Sequence, residues 1–435
     1  MTQSTGVSTY ASGNPDRPYD EEDISSRAFW STDMFEREKT FARLRERETI
    51  TWHPAPDDQV FEHPEDYGFW AITKYDDLVE VTKRHDDFLS GPGILMDNLP
   101  AEFIEGAQSF IGMDPPRHAR LRRLVAAAFT PKQMRRIDEM IFRNANAAVK
   151  NLLAKAEANG GETDFVAECA GLMPMNNIND MMGVPEGDRE EAAHQTAIAM
   201  SWSDPEVAGH TRDEVVNSLL TANGYCHELA VRLAVERRKN PGNDLISSLA
   251  QAEFDGEHLT DHEIGAFFVL LTVAGNDTTR QSTSHGLKAL TDFPEQRAWL
   301  LEDLEGRMPT AVEELVRWAT PIATFRRTAA RDLEFGGREI TKGDKVVMFY
   351  SSANRDATRF DRPNELDLSR KPNPHITFGG GGIHHCLGNQ LARTQLKAMF
   401  TELLTQAPGI TSGEPVLTPS SFFNIVKRMP CTPRP

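Results

Sequence analysis

Cysteine is scarce in this chain: four among 435 residues, Cys169, Cys226, Cys386 and Cys431, none of them in a Cys-x-x-Cys pair. That argues against a disulfide-built scaffold and against a zinc ribbon, and it suits a reducing cytoplasm. Basic charge is also short. The 47 Lys+Arg stand against 65 Asp+Glu, a net charge of -18, which repels a phosphate backbone and leaves small-molecule chemistry as the better expectation. Long apolar runs are missing as well. The longest, Ile264 to Val273, falls well short of the ~20 residues a membrane span needs, so no membrane anchor is expected. Met1 to Ser26 is polar and acidic, with no apolar core behind a basic start, and is read as a flexible arm rather than a secretory signal. Internal repeats and Pro/Gly/Ser linkers are absent too, so residues 27–435 read as one domain.

Strand signals are few: Gly68 to Tyr75, Leu333 to Phe335 and Lys345 to Tyr350. Helical spacing fills Pro131 to Ala158, His210 to Arg238, Asp261 to Phe293, Thr310 to Trp318 and Leu387 to Gln406. The expectation is a mainly α fold with a minor β part. The longest helix opens on a capping box, Thr260-x-x-Glu263, and stops at Pro294, giving ~50 Å of helix through the molecule. Its first half is apolar on every side and belongs in the interior.

Four blocks carry chemistry. In the middle of the long helix stands Ala274-Gly-Asn-Asp277-Thr278-Thr279, an abrupt polar insertion. It reads either as a cleft where Gly275 admits a ligand, Thr278 bonds it and Asp277 relays protons, or as buried polar groups satisfied structurally. The second block is Phe378-Gly-Gly-Gly-Gly-Ile-His384-His385-Cys386-Leu-Gly388. Its glycines permit close backbone approach to a planar ligand. The thiol reads either as a buried structural cysteine or as a metal ligand at a helix N-terminus, whose amides favour the thiolate. Zinc fits poorly, since His384 and His385 adjoin the sulfur too closely in sequence to converge with it on a tetrahedral ion. The third block, Glu314-Leu-Val-Arg317, is an acid and a base on one helix face with apolar flanks. The fourth, Met113-Asp-Pro-Pro-Arg-His118 with Arg122 four residues on, reads as a helix entry whose His118 and Arg122 could clamp a carboxylate, as a docking patch, or as a solvated face.

Together, in this order and spacing, the four blocks resemble the cytochrome P450 family from about Trp70 to Val426. The loop resembles in particular an actinobacterial subgroup that oxidises terminal methyls of branched lipids and sterol side chains, although one residue more separates Phe378 from Cys386 than in the common family loop. The resemblance implies a long central helix over a haem b whose iron is held by Cys386, with Phe378 and Gly388 in the ligating loop. It implies haem propionates held by His118, Arg122, His384 and Arg327, the last chosen over Arg326 by motif alignment, since strand neighbours face opposite ways. Asp277 and Thr278 would deliver protons to bound O2, and Glu314, Arg317 and Arg370 would form a structural network.

The expected activity is ferredoxin-dependent monooxygenation of a C–H bond in an apolar molecule, with terminal hydroxylation of a methyl-branched lipid, isoprenoid or sterol side chain preferred. The same chemistry on a terpenoid, polyketide or aromatic compound is the alternative; a haem sensor or carrier, or a peroxygenase, is more distant. Because the chain ends soon after the cysteine helix, a separate ferredoxin and NAD(P)H-dependent reductase are expected, docking on the basic cluster Arg117 to Arg123 with Arg135 and Arg136. Residues 89–114 should pass over the haem; they contain Ile94, Leu95, Met96, Leu99, Phe103, Phe110 and Ile111 but no Lys or Arg. Phe267, Leu271, Ala274, Ile322, Ala323 and Phe422 complete the expected substrate lining.

Overall fold

The computed structural model describes residues 13–434 except 58, 60, 62–64, 100–103, 105–109, 130 and 201–203. Its axis is the helix Asp261–Asp292, opened by the capping box: Thr260 Oγ1 accepts from the Glu263 N–H at 3.1 Å, and the Glu263 carboxylate accepts from the Thr260 N–H at 2.9 Å. Against it pack the helices Leu172–Met182, Arg212–Lys239, Leu304–Ala319 and Asn389–Gln406, while Pro131–Ala158 leans on the first and last of these, Leu172–Met182 and Asn389–Gln406. A continuous apolar core runs through this bundle from Leu121 to Cys431.

The helix ending at Ala319 begins six residues before the expected Thr310. Pro309 lies inside it, but its missing N–H forfeits a single bond, to the Glu305 carbonyl, and Asp303 caps the start by accepting from Gly306 N–H at 3.0 Å.

The minor β part is built around a five-stranded sheet ordered Thr51–His53, Phe69–Ile72, Lys345–Phe349, Thr324–Ala329, Phe88–Leu89, with four smaller sheets of two or three strands among the described residues. Lys345–Phe349 sits centrally, parallel to Phe69–Ile72 and antiparallel to Thr324–Ala329. Both faces are covered, one by Trp52, Trp70, Val346 and Phe335, the other by Phe29, Trp30, Phe41 and Phe349.

The N-terminal segment makes defined contacts from residue 13 onward. Residues 13–26 lie against the sheet: the Arg17 guanidinium sits over Trp52 and Trp70, 4.4 and 4.6 Å from their ring centroids, and pairs with Asp344 at 2.9 Å, while Ile24 is fully buried. Cation–π contact and one buried isoleucine tie down a stretch whose composition alone looks solvated. Residues 1–12 lie outside the described residues.

Candidate active site

Phe378 to Gly388 forms a tight loop before the helix Asn389–Gln406. The Cys386 N–H donates to the Phe378 carbonyl at 2.8 Å, and Asn389 Nδ2 donates to the Cys386 carbonyl at 2.8 Å. Two properties explain the glycine run. Gly379 and Gly381 have φ of +100° and +88°, a region that side chains rarely adopt. Gly382 instead needs space, since a Cβ there would stand 1.9 Å from the Thr82 carbonyl oxygen. The loop is thus pressed onto the C-terminal end of the helix Tyr75–Lys83.

Burial pushes the Cys386 thiol up, and the Gly388 N–H with the charges of Arg122 and Arg393 pulls it back only in part. The Gly388 N–H does favour the thiolate, as expected of the helix N-terminus. Desolvation outweighs this pull until a bound cation supplies the compensating charge.

The sulfur faces a cavity of about 430 Å³ between this loop and the central helix. Phe267, Leu270, Leu271, Ala274, Gly275 and Thr278 line it from the helix; Phe110, Ile111, Phe129, Ile322 and Phe325 add apolar walls. Six of the expected substrate residues, Phe110, Ile111, Phe267, Leu271, Ala274 and Ile322, are therefore on the wall. The others are not among its described lining. Met96 and Ala323 are buried in the core on the sheet's far side, with Phe69 and Phe349. The Ile94 carbonyl accepts from Arg326 N–H at 2.8 Å, and neither Ile94 nor Leu95 is among the described lining. Phe422 stands one layer back, edge-on to Phe325 at 5.3 Å. Phe103 falls outside the described residues.

Thr278 and Asp277 part company. Thr278 reaches the cavity, its hydroxyl donating to the Ala274 carbonyl at 2.8 Å. Asp277 is fully buried away from it: one oxygen pairs with Arg280 at 2.5 Å and accepts from Gln281 at 3.0 Å, while the other meets no donor among the described residues. Adjacent helical residues point 100° apart, so a relay with both groups on the cavity wall is not what this helix presents. Gly275 also lines the cavity, and a Cβ there would stand 3.3 Å from the end of the Ile178 side chain, a tight approach to the helix Leu172–Met182.

At one rim of the cavity, donors and positive charge gather. His384 and Arg327 line it; the His118 ring lies 4.3 Å from that of His384, and His118 Nε2 is buried without a partner among the described residues. Arg122 also lines the cavity and donates to the His385 carbonyl at 2.6 Å. Burial, and then Arg327, His118 and Arg122, push the His384 imidazole down to about 3. Arg326 turns the other way, to Asn98 at 2.8 Å. The described lining contains no Asp or Glu. A rim of positive charge with one buried, unmatched donor, His118 Nε2, beside an apolar slot with one sulfur fits a planar apolar group bearing carboxylates and a metal. Among the described residues no three His, Cys, Asp or Glu side chains gather to hold a metal ion by themselves.

The cytochrome P450 family model matches residues 59–406. The chain belongs to the cytochrome P450 family. Its relatives include a methyl-branched lipid omega-hydroxylase of Mycobacterium tuberculosis, 40% identical over 99% of this chain and all of that one. A steroid C26-monooxygenase of Rhodococcus jostii is 37% identical over 89% of this chain and 80% of that one. A solved Mycobacterium marinum cytochrome P450 in complex with pseudoionone is 52% identical, covers 96% of this chain and 99% of its own, and superposes with a TM-score of 0.88. This P450 is accordingly a haem-thiolate monooxygenase.

Behind the P450 loop, Glu314 and Arg317, both fully buried, form a bidentate pair at 2.7 and 2.8 Å. Arg370 joins Glu314 at 3.1 Å, and Asn373 adds a bond at 3.0 Å. Arg317 also donates to the Asn354 and Pro363 carbonyls. No described helix is long and apolar enough to cross a membrane. Sequence reasoning missed Leu270, Phe325 and Tyr350 on the wall. The first was legible as the i+3 neighbour of Phe267; the other two belong to strand Thr324–Ala329, which carried no recognised strand signal, and to the residue just after strand Lys345–Phe349.

Proposed function

We propose that this P450 hydroxylates the terminal methyl of a methyl-branched lipid, isoprenoid or sterol side chain. The observation that carries this is the cavity itself: an apolar corridor from Phe110 and Phe267 through Leu271 and Ala274 to the Cys386 sulfur, whose charged lining gathers at the rim. Such a shape admits a long apolar chain end-first and leaves its head group outside. The named activities of the Mycobacterium and Rhodococcus relatives support the same class. The pseudoionone complex favours, as a second reading, a short isoprenoid ketone.

In this reading the cofactor is haem b: the Cys386 thiolate would hold its iron, and His118, Arg122, Arg327 and His384 would hold its propionates. Phe378 and Gly388 shape the loop that carries the sulfur. When bound, the iron porphyrin supplies dioxygen activation and C–H oxidation. The Cys386 thiolate would be its electron-donating ligand. Thr278 is the proton-handling group at the cavity, and Asp277 serves it from the buried side of the helix, which requires leaving Arg280. Residues 27–435 act as one domain in the cytoplasm.

Electrons come from a reduced ferredoxin and its NAD(P)H-dependent reductase. Arg117, Arg123, Arg135 and Arg136 are exposed and offer positive charge to an acidic partner, whereas Arg120 is engaged with Glu257 and Glu263. Rising salt should slow reduction if this docking holds.

Spin-state titration of the holoprotein with branched fatty acids, sterols, isoprenoid ketones, polyketides and planar aromatics tests the substrate class. Branched chains should shift the spectrum and yield terminal alcohols with NADH, ferredoxin and reductase. Failure of every branched lipid and isoprenoid, with a shift by aromatics or polyketides, would overturn it.

A further inference from the structure

We infer that Arg393 is a positioning residue for the thiolate loop, clamping Cys386 from two sides at once. Its guanidinium carbon lies 4.4 Å from the centroid of the Phe378 ring, and the Phe378 carbonyl is the acceptor of the Cys386 N–H. The same guanidinium donates through Nη1 to Asn389 Oδ1 at 2.9 Å, and Asn389 Nδ2 donates to the Cys386 carbonyl at 2.8 Å. One side chain therefore braces both peptide groups flanking the cysteine, through a ring on one side and an amide on the other.

The clamp is itself held. Glu313 accepts from Arg393 Nε at 2.5 Å and Nη2 at 2.9 Å, and its second oxygen also meets His375 Nε2 at 2.9 Å. His375 is almost fully buried, its ring 5.7 Å from that of Phe378. Burial works against the Glu313 carboxylate, yet the bonds from His375 and Arg393 hold it down at about 2. The bidentate fork fixes the plane of the guanidinium, which is what stacking on Phe378 requires and what a lysine cannot reproduce.

None of these three side chains touches the cavity. Their effect on the metal is indirect. The fixed positive charge of Arg393 near the sulfur stabilises the thiolate and favours added electron density at the site, and the braced loop keeps the sulfur in one place. Hydrogen bonding and charge around a ligating thiolate set the reduction potential of the metal it holds.

The test uses substrate-free holoprotein and needs no redox partner, so it is independent of which lipid is the substrate. Arg393→Gln, Arg393→Lys and Glu313→Gln are compared with the unaltered protein by the ferric/ferrous midpoint potential and by the fraction of the reduced carbon-monoxide complex that retains the thiolate band. Arg393→Gln is expected to lower the potential and to raise the fraction lacking that band several-fold. Arg393→Lys should restore the potential in part but not the band, because it keeps the charge and loses the fork. Glu313→Gln leaves the Arg393 charge without its counter-ion, so the potential should not fall, while loss of the fork should still raise the fraction lacking the band. Unchanged potential and band in Arg393→Gln, with a lowered melting temperature alone, would show a merely structural residue and overturn the proposal. A missing thiolate band in the unaltered protein would instead refute Cys386 ligation.

Discussion

As bonded here, Thr278 spends its hydroxyl proton on the Ala274 carbonyl at 2.8 Å. It therefore presents lone pairs to the cavity and acts as an acceptor for a proton arriving on the distal side of the site. Thr278→Ala should leave Cys386 ligation and substrate affinity nearly unchanged while several-fold more of the reducing equivalents appear as hydrogen peroxide than as product. Peroxide and product measured per NADH consumed check it, and tight coupling in the variant would remove Thr278 from proton handling. The same helix shows what single residues disclose in advance. Phe267, Leu271, Ala274 and Thr278 recur at four- and three-residue steps, so their common face was readable from the sequence. Asp277 is one step off that face, and the same rule should have turned it inward toward Arg280 and Gln281. Met96, Ala323 and Phe422 were another matter. They sit in irregular segments, where the direction of a side chain is set by partners distant in sequence.

At the scale of elements, the helix Leu304–Ala319 is pinned to the segment preceding the cysteine loop by charges taken out of water. Glu314 receives Arg317, Arg370, Asn373 and the Asp367 N–H, so its four acceptor directions are filled. Removing it leaves two buried guanidinium groups without a counter-charge. Glu314→Ala should cost about 3–5 kcal/mol, the usual range for breaking a buried pair by deleting one partner. It should also lower haem retention, because Asn373 leads directly into the loop. Denaturant unfolding and the haem-to-protein absorbance ratio measure both, and a loss under 1 kcal/mol with full retention would contradict the pinning role. The pairing of Glu314 with Arg317 could be anticipated from their spacing, and the third partner only through family resemblance, since Arg370 is 53 residues beyond Arg317. Elements defined by their own periodicity, Pro131–Ala158 above all, emerged with their ends intact. Those that depend on partners did not: strand Thr324–Ala329 carries two arginines in succession and owes its existence to Lys345–Phe349 beside it.

The whole molecule carries a weakness to acid at two places that join its ends to its middle. His53 is fully buried in the first strand of the sheet, with Nδ1 3.0 Å from the Glu22 carbonyl of the N-terminal segment. His285 is buried in the central helix, with Nε2 3.0 Å from the Asn424 carbonyl near the C-terminus. Burial pushes both imidazoles down to about 4, against the partial opposition of Asp20, Glu22 and Asp23 around His53 and of the Asn424 carbonyl at His285. In the unfolded chain both would titrate near 6.5. Between those values the unfolded state binds more protons, so the stabilisation is complete above pH 6.5 and drains away as pH falls toward 4. A shift of this size corresponds to about 3 kcal/mol for each histidine. Urea unfolding of the holoprotein at pH 7 and at pH 5 should therefore show a marked loss on acidification, in a range where most carboxylates are still ionised. Replacing both residues, His53→Gln and His285→Gln, keeps a hydrogen-bonding side chain at each position but removes the titrating group. The double variant should be less stable at pH 7 yet lose clearly less between pH 7 and pH 5. An identical loss in variant and unaltered protein would mean that acid acts elsewhere, and that these two junctions are not where the fold gives way.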